Sequence, residues 1–441
     1  MAKKILLVGR WGKTHALAKA IKEKSVHETE LYCYMDKPNA GLVPLATDYM
    51  LGDMQNNDKI LSYVRDKKVD FAIVVPHMSL SNSISEKLIE NGIPCIGPTR
   101  NCSRLETSKT FLRQMLKETN QDVSPGYHVF NKREDATAHI NSIDYDFAVK
   151  PAGVTEGDGV KVIGIQLKDK QDAIDYVYEV FDMNIGGVAE IIIEEKLIGP
   201  EFTIQAFVDG SAMAGMPAIR DYKLLYEGEK GLNTPGMGSV SMPNHMLPFL
   251  SRDEYNKSIR IMKNVVDYTN KKFKEDYVGF LSGQFIKTAD GIKVIEFNVR
   301  PGDSEIMNIT PILKTDFVDL CEAMLDNKLQ GMDVEFEKKA TVCKYVVKEG
   351  FPYPKGNMEM IINDEAIKNA GADLFYSCFA VDDNIYKPSP RGVAVTAKGD
   401  SLEEAYLLSE KLIEENIKGK NIWHRKDIGT MELLDIEPEI S

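Results

Sequence analysis

Cysteine is scarce: six among 441 residues, at Cys33, Cys95, Cys102, Cys321, Cys343 and Cys378. No two form a C-x-x-C pair and none neighbours a histidine at zinc-ligand spacing, which excludes a disulfide scaffold and argues against structural zinc. They read as small buried hydrophobes in a reducing cytosol. The seven histidines are scattered, and H-E-x-x-H does not occur. Apolar runs fall far short of the roughly 18–20 residues that span a bilayer. At the N-terminus only Ile5-Leu6-Leu7-Val8 precede Gly9, against the ~7–15 residues of a secretory h-region, so this segment reads as a first strand. Cations are also in deficit, 54 Lys and Arg against 67 Asp and Glu, for a net charge of −13. A field of that sign neither wraps nucleic acid nor adheres to an anionic membrane. Any anionic ligand must be held by a few local cations and backbone N–H groups. The expected protein is cytoplasmic, a monomer or weak homodimer acting on small molecules.

What is present is ordinary globular material, 43% hydrophobic and 27% charged, long enough for roughly three domains. Through the first hundred residues short apolar strands (Lys4–Val8, Glu30–Tyr34, Val69–Val75, Ile93–Ile96) alternate with helical patterns near 15–24, 57–67 and 82–91, predicting a parallel sheet covered on both faces. Ser103-Arg-Leu-Glu106 fits a capping box opening a helix to about Lys117. From Tyr127 a small α+β unit follows, with a glycine loop at 150–159. The polar, glycine-containing segment from Arg220 to Pro243 reads as a long functional loop. A helix at 252–274 and a hairpin turning at Ala289-Asp290-Gly291 come next, then a third unit past Glu335. The predicted boundaries are 1–123, 124–196, 197–335 and 336–441.

Four constellations could carry chemistry. Gly9-Arg-Trp-Gly12-Lys13-Thr14 sits between strand and helix, but the first glycine of a P-loop would fall on Leu7. It reads either as an anion site at a helix N-terminus or as a plain tight turn. Lys150-Pro-Ala-Gly153-Val-Thr-Glu-Gly157-Asp-Gly159 puts a lysine at a strand end before a loop whose glycines let N–H groups approach phosphates; the alternative is a glycine-rich hairpin. Ile191-Ile-Ile-Glu194-Glu195-Lys196-Leu197 could line a base and ribose, or be an edge strand with solvated charges. In Val294-Ile-Glu296-Phe-Asn298-Val-Arg300-Pro-Gly-Asp303-Ser-Glu305, Glu296 and Asn298 share one strand face, which suits a divalent cation. So many charges at one strand end would be costly to bury without a ligand.

Taken together the four resemble the ATP-grasp fold, and their order resembles the phosphoribosylamine–glycine ligase (glycinamide ribonucleotide synthetase) family of purine synthesis. Leu105-Glu-Thr-Ser-Lys109, Asp221-Tyr-Lys223 with Gly231-Leu-Asn-Thr-Pro-Gly-Met-Gly238, Glu296 to Glu305, Arg391-Gly-Val-Ala and Arg425-Lys-Asp-Ile-Gly429 carry the likeness over almost the whole chain. The resemblance implies an α/β and α+β multidomain protein: an ATP-grasp core between an N-terminal parallel, Rossmann-like domain and a C-terminal α/β domain. It implies that ATP phosphorylates glycine and that 5-phosphoribosylamine captures the acyl phosphate.

By the same resemblance Lys109 and Lys150 contact ATP phosphates beneath a flap of Gly157 and Gly159. Glu194, Glu195 and Leu197 line the adenine, with Glu201 toward the ribose. Glu296 and Asn298 hold Mg²⁺ or Mn²⁺. Gly12 and His15, with Asp221, Lys223, Asn233, Thr234, Gly236, Met237 and Gly238, surround the substrates, and Arg300 and Asp303 are the catalytic pair. The chain departs from the family pattern at Trp11, Lys13, Pro76-His77, Asp158, Pro235 and Pro301. These departures leave open an ATP-grasp carboxylate–amine ligase with another substrate pair. Asp158 in the flap motivates a third reading, a nucleotide-binding regulator without turnover.

Overall fold

The computed structural model describes residues 2–119, 122–155, 159–353, 359–382 and 385–435. Gly157 and Asp158 of the expected flap, and the side chain of Cys378, lie outside the described residues; the other five cysteines are free and buried.

The first sheet is parallel, ordered β3-β2-β1-β4-β5, with β1 Lys3–Val8, β2 Thr29–Met35, β3 Asp48–Leu51, β4 Phe71–Val74 and β5 Cys95–Ile96. Ile5 to Val8 are fully buried, as a central strand covered on both faces requires. β3 was not expected from the sequence. It is an edge strand whose four residues are all exposed, so no burial pattern marks it. The helix expected at 82–91 forms as Ile84–Glu90, and a short helix not expected from the sequence, His77–Ser81, precedes it, the two separated at Ser83 with φ of 64°.

The capping box expected at Ser103 does not form. Ser103 Oγ donates to the Arg100 carbonyl at 2.8 Å, and the helix from Arg104 stops at Thr107. A second helix starts at Lys109, capped by Ser108, whose Oγ accepts from the Phe111 N–H at 3.2 Å. The break places Lys109 at a helix N-terminus rather than mid-helix.

The second sheet is antiparallel, ordered β6-β9-β7-β8: β6 Tyr127–Phe130, β7 Phe147–Pro151, β8 Lys161–Val162 and β9 Ile191–Glu195. Helices Arg133–Ser142 and Lys170–Met183 enclose its core of Ala136, Ile140, Phe147, Val177 and Ile191. The strand expected at 160–165 shrinks to β8.

The third sheet is the largest. It comprises β10 Glu201–Asp209, β11 Met213–Gly215, β12 Ile219–Tyr226, β13 Lys230–Ser241, β14 Val278–Thr288, β15 Gly291–Asn298, β16 Ala340–Lys348, β17 Met360–Ile362, β18 Asp373–Asp382, β19 Ile385–Gly399, β20 Ile417–Gly419 and β21 Ile422–Trp423. Its main path is β15-β14-β10-β12-β13-β16-β19-β17-β20. The segment read as a long loop from Arg220 is therefore an antiparallel pair, β12 with β13. Register shifts break its alternation, and the second half of β13 is buried throughout, so period-two patterning is lost. β13 also pairs with β16, Gly238 opposite Lys344, so the expected boundary at 335–336 falls inside one continuous sheet. Among the described residues no helix is long and apolar enough to cross a membrane.

Candidate active site

Lys109 begins its helix against the end of β7. Its N–H donates to the Ala152 carbonyl at 2.9 Å, and its Nζ to the Gly153 carbonyl at 2.7 Å. Burial pulls its ammonium below the ordinary lysine value against the opposing pull of Glu296, and the Lys150 charge adds to the depression. Lys150, on β7, places its Nζ 2.6 Å from Glu194 Oε2. The Glu194 carboxylate is buried and forked by Arg113 as well. Its ring-lining expectation thus rests on backbone rather than on a free carboxylate. Glu195 and Leu197 follow at the end of β9, Glu195 exposed with its N–H donating to the Gly126 carbonyl at 2.9 Å. The Gly159 carbonyl accepts from the Tyr176 hydroxyl at 2.7 Å.

The second cluster sits where β14 and β15 pair, Gln284 opposite Glu296. Burial works against the Glu296 charge, but Lys223, Lys109, Asn298 and Lys150 hold its carboxyl below the usual range. Asn298 Nδ2 lies 3.3 Å from Glu296 Oε1, and Arg300 Nη2 donates to Asn298 Oδ1 at 3.2 Å. Arg300 Nε in turn donates to Glu106 Oε1 at 3.0 Å, while Glu106 Oε2 accepts from the Val299 N–H at 2.9 Å. Lys223 donates to Gln284 Oε1 at 2.6 Å and lies 3.6 Å from Glu201 and 3.7 Å from Asp221. Burial lowers the Lys223 pKa, yet these carboxylates with Glu296 and Glu305 raise it above the ordinary value. Burial and the neighbouring Asp221 push the Glu305 carboxyl up.

The third cluster centres on Asp303. Its Oδ1 accepts from the Tyr345 hydroxyl at 2.6 Å and lies 2.9 Å from Arg391 Nη2; its Oδ2 accepts from the Lys13 N–H at 3.3 Å. The Gly12 N–H donates to Ser377 Oγ at 2.9 Å. A Cβ at Gly12 would lie 2.4 Å from Met307 Cε and 2.5 Å from the Tyr345 hydroxyl, so this close approach needs glycine. Arg391 Nη1 reaches the Pro235 and Gly236 carbonyls, both at 3.2 Å. Thr234 Oγ1 accepts from the Gly236 N–H and donates to the Lys223 carbonyl. Asn233 pairs with Leu224 across the strands, and Met237 is fully buried. Lys13 is buried, and desolvation with the Arg300 charge brings its pKa to about 7.

His15 is sealed against the Phe375 and Tyr376 rings, and its Nδ1 accepts from the Tyr376 N–H at 3.1 Å. Burial and Lys19 hold it neutral. It aligns the Gly12 helix with β18 and brings no charge to an anion.

Lys109, Lys150, Lys223, Arg300, Asp303 and Glu296 are thus drawn into one electrostatically coupled region, with Asp221 beside Lys223. Sequence reasoning missed Arg113, Gln284, Tyr345 and Ser377. It quoted Glu305 and Arg391 within motifs without giving them tasks, and gave Glu106 only the place of the acid in a capping box. Only Glu106 had a local signal, three residues before Lys109 in the same segment; the others find partners far away in the chain.

Family profiles match in two consecutive blocks: phosphoribosylglycinamide synthetase, N domain, over residues 3–106, and phosphoribosylglycinamide synthetase, ATP-grasp (A) domain, over residues 107–306. The chain is 42% identical over 434 residues to a phosphoribosylamine–glycine ligase of Methanobrevibacter smithii, covering 98% of this chain and 97% of that protein. The crystal structure of phosphoribosylamine–glycine ligase from Thermotoga maritima superimposes with a TM-score of 0.79 at 23% identity, over 96% of this chain and 100% of that one. The biotin carboxylase domain of Hydrogenobacter thermophilus 2-oxoglutarate carboxylase, solved with MgADP, gives 0.71 at 14% identity, over 96% and 92%. Those two likenesses speak for the fold; the profile matches and the full-length identity carry the assignment, and the chain belongs to the phosphoribosylglycinamide synthetase family.

Proposed function

We propose that this protein is a phosphoribosylamine–glycine ligase, joining glycine to 5-phosphoribosylamine with ATP and releasing glycinamide ribonucleotide, ADP and phosphate. The observation that carries the reading is the convergence of Lys109, Lys150, Lys223 and Arg300 around Glu296 in a chain of net charge −13. Full-length identity of 42% to a ligase of that name supports it.

A carboxylate oxygen of glycine attacks the γ-phosphorus of ATP, and ADP departs with the former bridging oxygen. The amine of phosphoribosylamine then adds to the glycyl carbonyl carbon, loses a proton, and phosphate leaves with the glycine oxygen. No protein nucleophile is needed, only charge neutralisation at the moving phosphoryl group and two substrates held in line. Lys109 and Lys150 take the ATP phosphates. Arg300, held by Glu106 and Asn298, meets the transferring phosphoryl group in this reading. Asp303 fixes the Gly12 loop against Tyr345 and Arg391, closing the substrate side. Buried Lys13 adds a cation there for the ribose phosphate. Glu296 and Asn298 share the strand face that would hold Mg²⁺ or Mn²⁺, which would neutralise phosphate charge; Asn298 turns its Nδ2 toward Glu296 and its Oδ1 toward Arg300, so its amide would have to turn to offer a metal its oxygen. The enzyme acts on small molecules, as a monomer or weak homodimer in the cytoplasm.

The test is ADP release from the purified chain. Release is expected only when glycine and freshly generated phosphoribosylamine are both present; release with other carboxylates or amines, and none with this pair, rejects the proposal.

A further inference from the structure

Behind the phosphate lysines lies a buried ionic network that no step of the proposed reaction uses. Arg113, on the helix that Lys109 opens, forks onto Glu194: Nε to Oε1 at 2.6 Å and Nη2 to Oε2 at 3.0 Å. Both side chains are only 2% exposed. Oε2 of the same carboxylate also meets Lys150 Nζ at 2.6 Å. The remaining guanidinium donors reach main-chain carbonyls, Nη1 to Val294 at 3.0 Å and Nη2 to Ile295 at 2.7 Å.

Those two carbonyls stand at an irregularity. β15 pairs with β14 so that Glu296 opposes Gln284 and Val294 opposes Phe285, which leaves Ile295 as an extra residue without a partner. Bulges of this kind disrupt the ladder locally and re-aim a side chain, here Glu296. Arg113 donates to the carbonyls of both residues at the irregularity. One side chain therefore touches the Lys109 helix, the small sheet through β9, and the strand bearing Glu296.

We infer that Arg113 is a positioning residue for nucleotide binding: through Glu194 it fixes Lys150, and through the Val294 and Ile295 carbonyls it fixes the bulge that aims Glu296, so that phosphate lysine and metal face keep one spacing. The inference rests on reading Lys150 as a phosphate group and Glu296 as a metal ligand. Two physical points support it. Burying ions is costly unless every group is satisfied, and here the carboxylate is met by both cations. Despite burial, Arg113 and Lys150 pull the Glu194 carboxyl down to about 2, so the anion stays charged and keeps hold of Lys150. An ammonium in place of the guanidinium cannot fork onto a carboxylate and reach two carbonyls at once.

The test uses the full chain carrying Arg113→Lys or Glu194→Gln, with MgATP, glycine and phosphoribosylamine varied in turn, alongside MgADP calorimetry and thermal melts. In folded variants the KM for MgATP and the Kd for MgADP are expected to rise about tenfold or more, while the KM for glycine stays within about twofold. The double variant is expected to be no worse than Arg113→Lys alone, because both act on one network. Unchanged MgATP and MgADP affinity in folded variants overturns the inference, as does an equal rise for every substrate. Failure of both variants to fold also overturns it, since the network would then serve stability alone. If the wild type does not turn over with this substrate pair, the functional proposal fails separately, and the MgADP comparison still decides the role of Arg113.

Discussion

Single residues in this site are defined more by their neighbours than by their identity. Lys13 illustrates this. Its sequence context resembles a failed P-loop, yet it is buried beside Arg300 with its pKa near 7. Between about 7 and 10.5 the unfolded chain therefore binds one more proton at this side chain than the folded chain does, so folding stability rises with pH across that window, by up to roughly 1.4 kcal/mol per pH unit. Below pH 7 the full penalty of a buried charge applies. Lys13→Met is expected to raise the melting temperature at pH 7, with the gain shrinking toward pH 10. Melts of both proteins across that range check it; a constant difference would contradict the buried titration. Arg113 and Glu194 show the opposite limit of legibility. They stand 81 positions apart, and nothing local in either segment announces the pair. The family resemblance implied that Glu194 lines the adenine, whereas its own segment also read as an edge strand with solvated charges. Its carboxylate is instead consumed by two cations brought there only by the fold.

At the scale of elements, the regular pieces were legible and the irregular ones were not. The β1 strand shows an unbroken apolar run and the Lys170–Met183 helix a plain helical periodicity, and they form where expected. The β12–β13 pair does not, because register shifts and continuous burial erase alternation, and its glycines imitate a loop. Gly238 explains why glycine is tolerated inside a strand. A Cβ there would lie 2.3 Å from the Cys343 carbonyl, so the residue lets β13 approach β16 closely. Gly238→Ala is expected to destabilise the fold by about 1–3 kcal/mol through overpacking. Urea unfolding measures this, and an unchanged midpoint would show that the β13–β16 join has slack. The helix break at Ser108 is a similar case. Ser103 opens only a one-turn helix to Thr107, and Ser108 caps a new helix that sets Lys109 against the end of β7.

For the whole molecule, the acidic balance and the anionic substrates are reconciled by placement. Cations of the site are buried and shared among Glu106, Glu194, Glu296 and Asp303, whereas many of the remaining charges pair at exposed positions such as Lys314 with Glu335 and Lys328 with Asp326. Exposed pairs of this kind add little stability and leave the surface soluble. The order of motifs along the chain, phosphate lysines, then substrate loop, then metal face, disclosed the family because it repeats the family's own order. The joining of β13 to β16 across the expected domain boundary was hidden, since a sheet partner is a tertiary fact. The central claim is that glycine is activated as an acyl phosphate at this site. Glycine labelled with ¹⁸O in its carboxylate tests it most directly: one labelled oxygen is expected in the inorganic phosphate released per turnover, and unlabelled phosphate formed alongside glycinamide ribonucleotide would contradict it.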